Sequence, residues 1–170
     1  CTLMCAPRGS WYSFCSPSSP VTKILRCCLA TSPYFTTPST SVMDSFKRFC
    51  EKYRNDPETG KANYCIIQAE DELAAIGMVV GAGWAGARAM TSTAGPGISL
   101  MSEFAGLAYF AEIPAVIWDV QRVGPSTGLP TKTEQADLML AMYGRHGEAA
   151  LLIVAANSPS DSFDAAFEAV

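Results

Sequence analysis

From residue 36 to residue 170, stretches with helical apolar spacing alternate with short apolar runs, and this alternation narrows the fold more than any other feature of the chain. The runs fall at residues 64–68, 88–93, 115–120 and 151–155, and the helical stretches at about 41–53, 70–85, 99–111, 134–143 and 160–170. Regular exchange of helix and strand predicts an α/β fold, a parallel sheet covered by helices on both faces. Runs such as Ala115-Val116-Ile117-Trp118 lack the polar and apolar alternation of a half-solvated strand, so they suit strands buried on both sides. Sheets of this kind bind ligands beyond the carboxyl ends of their strands. Chemistry is therefore expected in the loops that follow Gln68, Thr93 and Val120.

The 170 residues are enough for one domain with a substantial core. Apolar residues make up 49% and charged residues 16%, which predicts close helix packing and surface reserved for another subunit. A net charge of −4 offers no basic footprint for nucleic acid. The longest apolar stretch, residues 76–87, falls short of the roughly 18 to 20 residues of a membrane span. Five of the seven cysteines lie in the first 28 residues without C-x-x-C spacing, so neither a zinc site nor an iron–sulfur run is predicted. Reduced thiols and a cytoplasmic location fit this pattern.

All 16 acidic residues lie from Asp44 onward, whereas residues 1–43 are rich in Ser, Thr, Pro and Cys with only Arg8, Lys23 and Arg26 as charges. The first part has neither the arginine-rich face of a transit peptide nor the layout of a secretory signal. Residues 1–33 are expected to be poorly ordered, and residues 34–170 to form the domain. The end at Val170, inside a helical pattern, fits a fragment of a longer subunit.

Three junctions combine the residue types that a site needs. Gln68-Ala69-Glu70-Asp71-Glu72 closes an apolar run and opens a helix. Glu70 and Asp71 read as ordinary helix N-terminal charge, while small residues follow Glu72 at Ala74, Ala75 and Gly77 and leave room for a ring or a partner. Thr93-Ala94-Gly95-Pro96-Gly97 is either a common βα turn or a cradle at a helix N-terminus, the glycines giving clearance and the proline stiffness. Arg122 ends the third run and is suited to a bidentate grip on a carboxylate, or equally to a surface ion pair. His146, the one histidine, reads as a structural loop residue. Gly81-Ala82-Gly83-Trp84-Ala85-Gly86 matches the dinucleotide fingerprint, with Glu103 near the distance for a ribose contact. Its context argues instead for glycines inside a packed helix.

With these residues in view, the chain from Tyr34 onward resembles the alpha subunit of 2-oxoacid:ferredoxin oxidoreductases, in particular the 2-oxoglutarate type. The resemblance rests on residues 34–44, 68–94, 95–101 and 121–137, in that order along the chain. It implies a thiamine-diphosphate-binding fold of the pyrimidine type. It also implies that Glu72 is the glutamate that hydrogen-bonds the aminopyrimidine and activates the cofactor, with Gly95, Pro96 and Gly97 beside it. Thr37 and Arg122 match the family residues near the substrate carboxylate. The implied reaction is oxidative decarboxylation of a 2-oxoacid to acyl-coenzyme A and CO2, with electrons passing to ferredoxin. Mg and the iron–sulfur cluster are implied for a beta subunit, in keeping with the absence of a Gly-Asp-Gly motif here. Where the family reads Tyr-Pro-Ile-Thr, this chain has Tyr34-Phe35-Thr36-Thr37. No counterpart of the preceding family strand is recognised in residues 1–33, so a central strand is expected to be missing or altered.

Overall fold

The computed structural model describes residues 2–5, 28–31, 37–126 and 128–169. Its elements run β1 (Thr2–Cys5), β2 (Cys28–Thr31), α1 (Thr37–Tyr53), β3 (Cys65–Gln68), α2 (Glu72–Trp84), β4 (Ala89–Thr93), α3 (Gly95–Phe110), β5 (Val116–Asp119), α4 (Leu138–Tyr143), β6 (Leu152–Ala155) and α5 (Pro159–Glu168). The six strands form one sheet in the order β3-β2-β4-β5-β1-β6. β2 pairs in parallel with β3 and β4, and β4 in parallel with β5.

Two features differ from the sequence expectation. β1 is inserted antiparallel between β5 and β6, so one strand of the otherwise parallel sheet runs the other way. The central strand expected to be missing or altered is present as β2, from Cys28 to Thr31, ahead of the expected domain start. Its residues, Cys-Leu-Ala-Thr, are too few and too ordinary to stand out, and backbone pairing on both sides is what makes them a strand. The rest of the first 33 residues, for which poor order was expected, lies outside the described residues, as do Tyr34, Phe35 and Thr36.

Helices cover both faces. On one face α2, α3 and α4 bury Ala75, Ile76, Val79, Ile98, Met101 and Ala141 against Ala89 and Ile117. On the other, α5 brings Ala165 and Ala169 onto Val116, Met90 and Trp118. β5 thus sends alternate side chains to opposite cores, as a strand buried on both sides must. α1 lies on the α5 side, where the Ser92 hydroxyl donates to the Ser39 carbonyl at 3.4 Å.

The dinucleotide alternative requires a turn at Gly81 and Gly83, and both are inside α2. Gly83 is instead a packing residue: a Cβ there would sit 2.5 Å from the Pro114 carbonyl oxygen and 2.9 Å from Ile113 Cγ2. At Gly81 a Cβ would meet nothing within 4 Å. Gly81→Ala is therefore expected to stabilise the fold by about 0.5–1 kcal/mol through helix propensity. Gly83→Ala should destabilise it by about 1–3 kcal/mol, since a backbone carbonyl cannot move aside. Urea midpoints of the two variants check this, and equal midpoints would contradict it.

Among the described residues no helix is long and apolar enough to cross a membrane. Several large apolar side chains on α2 and α3 remain exposed, Trp84 at 71% and Phe110 at 86% the most.

Candidate functional site

The parallel strands end together. Thr31 is in register with Gln68, and Thr93 with Asp119, so the carboxyl ends of β2, β3, β4 and β5 form one edge. The junctions that leave this edge carry Thr37, Glu72, Gly95 to Gly97, and Arg122. Residues far apart in sequence are thus gathered by topology alone.

Glu72 is the first residue of α2. Asp71 caps the helix, its Oδ1 accepting from the Ala74 N–H at 2.7 Å, which bears out the N-terminal role expected of it. With that amide already satisfied, Glu72 is released from capping. Its stem lies against the next junction: a Cβ on Gly97 would overlap the Thr93 hydroxyl and come within 2.9 Å of Glu72 Cγ. Gly97 is glycine because the Glu72 stem and Thr93 occupy the space. Among the described residues the Glu72 carboxylate makes no hydrogen bond or ion pair.

The start of α3 is arranged differently from an open anion cradle. A Cβ on Gly95 would land on the Asp137 carboxylate, which accepts from the Gly95 and Arg122 backbone N–H groups. Pro96 follows in the first turn, and the Gly97 N–H donates to the Ala94 carbonyl at 2.8 Å. The leading amide of this helix is thus satisfied from within the chain. The clearance that glycine gives here serves Asp137 at one position and Glu72 at the other.

Arg122 is 3% exposed, and its Nη1 donates to the Val123 carbonyl at 3.3 Å. The loop behind it folds on itself, with the Val123 N–H on the Lys132 carbonyl and the Lys132 N–H on the Leu129 carbonyl, both at 3.0 Å. A buried arginine is rare without an anionic neighbour, and here the Asp137 carboxylate supplies that field. Thr37 begins α1 at the same edge, with the backbone two residues on held to β4 through Ser39 and Ser92.

Two acids at this edge were not singled out from the sequence. Asp119 has no exposed surface, and neither of its carboxylate oxygens finds a hydrogen-bond partner among the described residues. Burial, reinforced by the nearby Asp137, pushes its pKa up to about 7. Burial also raises Asp137, against the opposing pull of its backbone donors and Arg122. An acid at the end of an otherwise apolar run was the available signal for Asp119. Asp137 has the position of a helix cap, and only the structure shows its side chain turned back across the edge rather than onto α4.

His146 is exposed. Its neighbour Arg145 closes the end of α4 by donating to the carbonyls of Ala141, Met142 and Ala149. Among the described residues Cys50 and Cys65 form no disulfide, and no group of three or more metal-binding side chains occurs.

Comparison with known proteins places this edge in context. A family model described as pyruvate flavodoxin/ferredoxin oxidoreductase, thiamine-diphosphate-binding, matches residues 25–170. The chain belongs to this family. The match takes in β2 as well as the segment from Tyr34 onward. The 2-oxoglutarate oxidoreductase subunit KorA of Mycobacterium tuberculosis is 56% identical over 108 residues, covering 64% of this chain and 16% of that protein. The 2-oxoacid:ferredoxin oxidoreductase subunit alpha of Saccharolobus solfataricus is 50% identical over 111 residues, covering 64% of this chain and 18% of that protein. In structure, the chain is similar to the 2-oxoglutarate:ferredoxin oxidoreductase of Magnetococcus marinus, which was solved with 2-oxoglutarate, coenzyme A and succinyl-CoA bound. The TM-score is 0.64 at 42% identity, over 76% of this chain and 21% of that one. The chain therefore spans about a sixth to a fifth of the length of these relatives.

The thiamine-diphosphate-binding family assignment agrees with the local chemistry. A half-buried carboxylate with no partner among the described residues, Glu72, stands at the sheet edge beside the Gly97 turn, which is the donor-seeking group that an aminopyrimidine ring needs.

Proposed function

We propose that this chain is the pyrimidine-binding part of the alpha subunit of a 2-oxoacid:ferredoxin oxidoreductase acting on 2-oxoglutarate. The observation that carries the reading is the approach of Glu72 to Gly97 at an edge shared with Thr37 and Arg122. Residues 34–170, joined by β2, are the α/β domain of a longer subunit in this reading. The names of the relatives and the ligands of the Magnetococcus enzyme support the choice of substrate.

In the proposed mechanism Glu72 would hydrogen-bond the ring nitrogen of the aminopyrimidine and share with it the proton that sets its tautomer. Gly95, Pro96 and Gly97 hold the adjoining turn close, and Gly97 leaves room for the Glu72 stem beside it. Thr37 and Arg122 orient the carboxylate of the 2-oxoacid, Arg122 through its planar donors. Thiamine diphosphate, when bound, supplies the carbanion chemistry by which the 2-oxoacid loses CO2. The overall reaction in this reading converts a 2-oxoacid and coenzyme A to acyl-coenzyme A and CO2, with two electrons accepted by ferredoxin. A beta subunit supplies the Mg and diphosphate contacts and the iron–sulfur cluster, and the exposed apolar side chains of α2 and α3 are consistent with such an assembly. The setting is a reducing cytoplasm.

Co-expression with a beta subunit, followed by dye or ferredoxin reduction in the presence of thiamine diphosphate, Mg and coenzyme A, tests the proposal. Reduction that requires 2-oxoglutarate is the expected result. A soluble, associated complex with no 2-oxoacid-dependent reduction would remove the reading.

A further inference from the structure

Asp137 is tied to its surroundings through its backbone N–H, its carbonyl and one side of its carboxylate. Its N–H donates to Gln121 Oε1 at 3.1 Å, and its carbonyl accepts from the Ala141 N–H at 2.8 Å. Its carboxylate accepts from the backbone amides of Gly95, the first residue of α3, and Arg122, the residue expected to face substrate. Oδ2 has no hydrogen-bond partner among the described residues, so the bridging falls to Oδ1. Gly95 lacks the Cβ that would collide with this carboxylate, so the contact depends on the residues at both ends. Asp137 itself is 6% exposed, too buried for the role of an ordinary surface cap.

We propose that Asp137 is a positioning residue, whose carboxylate fixes the Arg122 backbone to the first turn of α3 and so sets the spacing between the substrate-facing and cofactor-facing junctions. The inference rests on the function proposed above for those junctions. The bond itself can be measured without turnover. β4 and β5 hold the two junctions in register only up to Thr93 and Asp119. Beyond that point the chains diverge, one into α3 and the other into a loop, and Asp137 returns from the far end of that loop to rejoin them.

Site-resolved amide hydrogen exchange on the full chain, with 2-oxoglutarate kinetics on its complex with the beta subunit, tests this on Asp137→Ala and Asp137→Asn. Loss of a charged acceptor shared by two buried amides should speed exchange at Gly95 and Arg122 by at least about tenfold in Asp137→Ala, with α5 unchanged. KM for 2-oxoglutarate should rise about tenfold or more in the same variant. Asp137→Asn keeps Oδ1 and should restore slow exchange at both amides and a KM within about threefold of the parent. Should Asp137→Ala fail to fold, Gly95→Ala presses on the same carboxylate from the opposite side, and faster exchange at Arg122 is then the expected result. Unchanged exchange at either amide in a folded variant overturns the proposal. So does faster exchange with unchanged KM, which would leave Asp137 a purely structural tie. A parent complex with no turnover removes the functional reading instead, while exchange still decides whether Asp137 joins the two junctions.

Discussion

Glu72→Gln is expected to lower 2-oxoacid-dependent turnover by about 10²- to 10⁴-fold, the range typical for loss of a positioned proton-transfer group. The same substitution should hardly change stability. Among the described residues the Glu72 carboxylate has no hydrogen-bond or ion-pair partner to lose, and Asp71 already caps α2. What remains is the interaction of one negative charge with a helix N-terminus, about 0.3–1 kcal/mol. Glutamine keeps the stem that packs near Gly97 at 2.9 Å from the Cβ position, so shape is conserved and only the acceptor strength changes. Dye reduction by the reconstituted complex, read beside thermal melts of both chains, separates the two effects. Activity within about tenfold of the parent would show that another group activates the cofactor. A large loss of stability would show that Glu72 serves the fold.

The second large effect concerns Asp119. Its pKa is raised from 3.8 to about 7, because the buried carboxylate cannot be solvated when charged and Asp137 repels it. Between those two values the folded chain holds a proton that the unfolded chain has released. The unfolded state therefore binds fewer protons, and the stability of the fold declines as pH rises. This contribution is fully favourable below the unfolded value and is lost as pH rises through about 7. At about 1.4 kcal/mol per pH unit, the decline across the window is on the order of 4 kcal/mol. Asp119→Asn, a neutral side chain of the same shape, should remove most of that slope and be more stable than the parent at pH 8. Asp137, also raised by burial, leaves a smaller slope of the same sign. Urea unfolding at about pH 5 and pH 8 measures it, and a parent whose stability rises over this range would refute the assignment.

The helices and strands that the sequence revealed are those whose apolar pattern is repeated within one segment. The run predicted at residues 115–120 became β5, Val116–Asp119, and the helix predicted at 70–85 became α2, Glu72–Trp84. The helix expected at 134–143 shortened to Leu138–Tyr143, because Asp137 is turned toward Gly95 and Arg122 and the residues before it belong to the loop. β1 and β2 left no comparable signal. Four residues of mixed character become strands only when neighbours offer paired N–H and carbonyl groups on both sides, information that lies elsewhere in the chain.

The site divides in the same way. Residue type and junction position marked Glu72, the Gly95 to Gly97 turn and Arg122, because a carboxylate, a glycine turn or an arginine at a strand end is visible without coordinates. The sequence also determined that Gly81 and Gly83 sit in a helix, since acids precede them and small apolar residues surround them. The tertiary structure alone decided what each glycine accommodates: Glu72 and Thr93 at Gly97, Asp137 at Gly95, the Pro114 carbonyl at Gly83. It alone turned Asp119 and Asp137 from an ordinary strand end and an ordinary cap into a buried acidic pair. The physical reason is that periodicity and local charge act over a few residues of one segment, whereas desolvation and contact across the sheet edge depend on which distant segments the topology brings together.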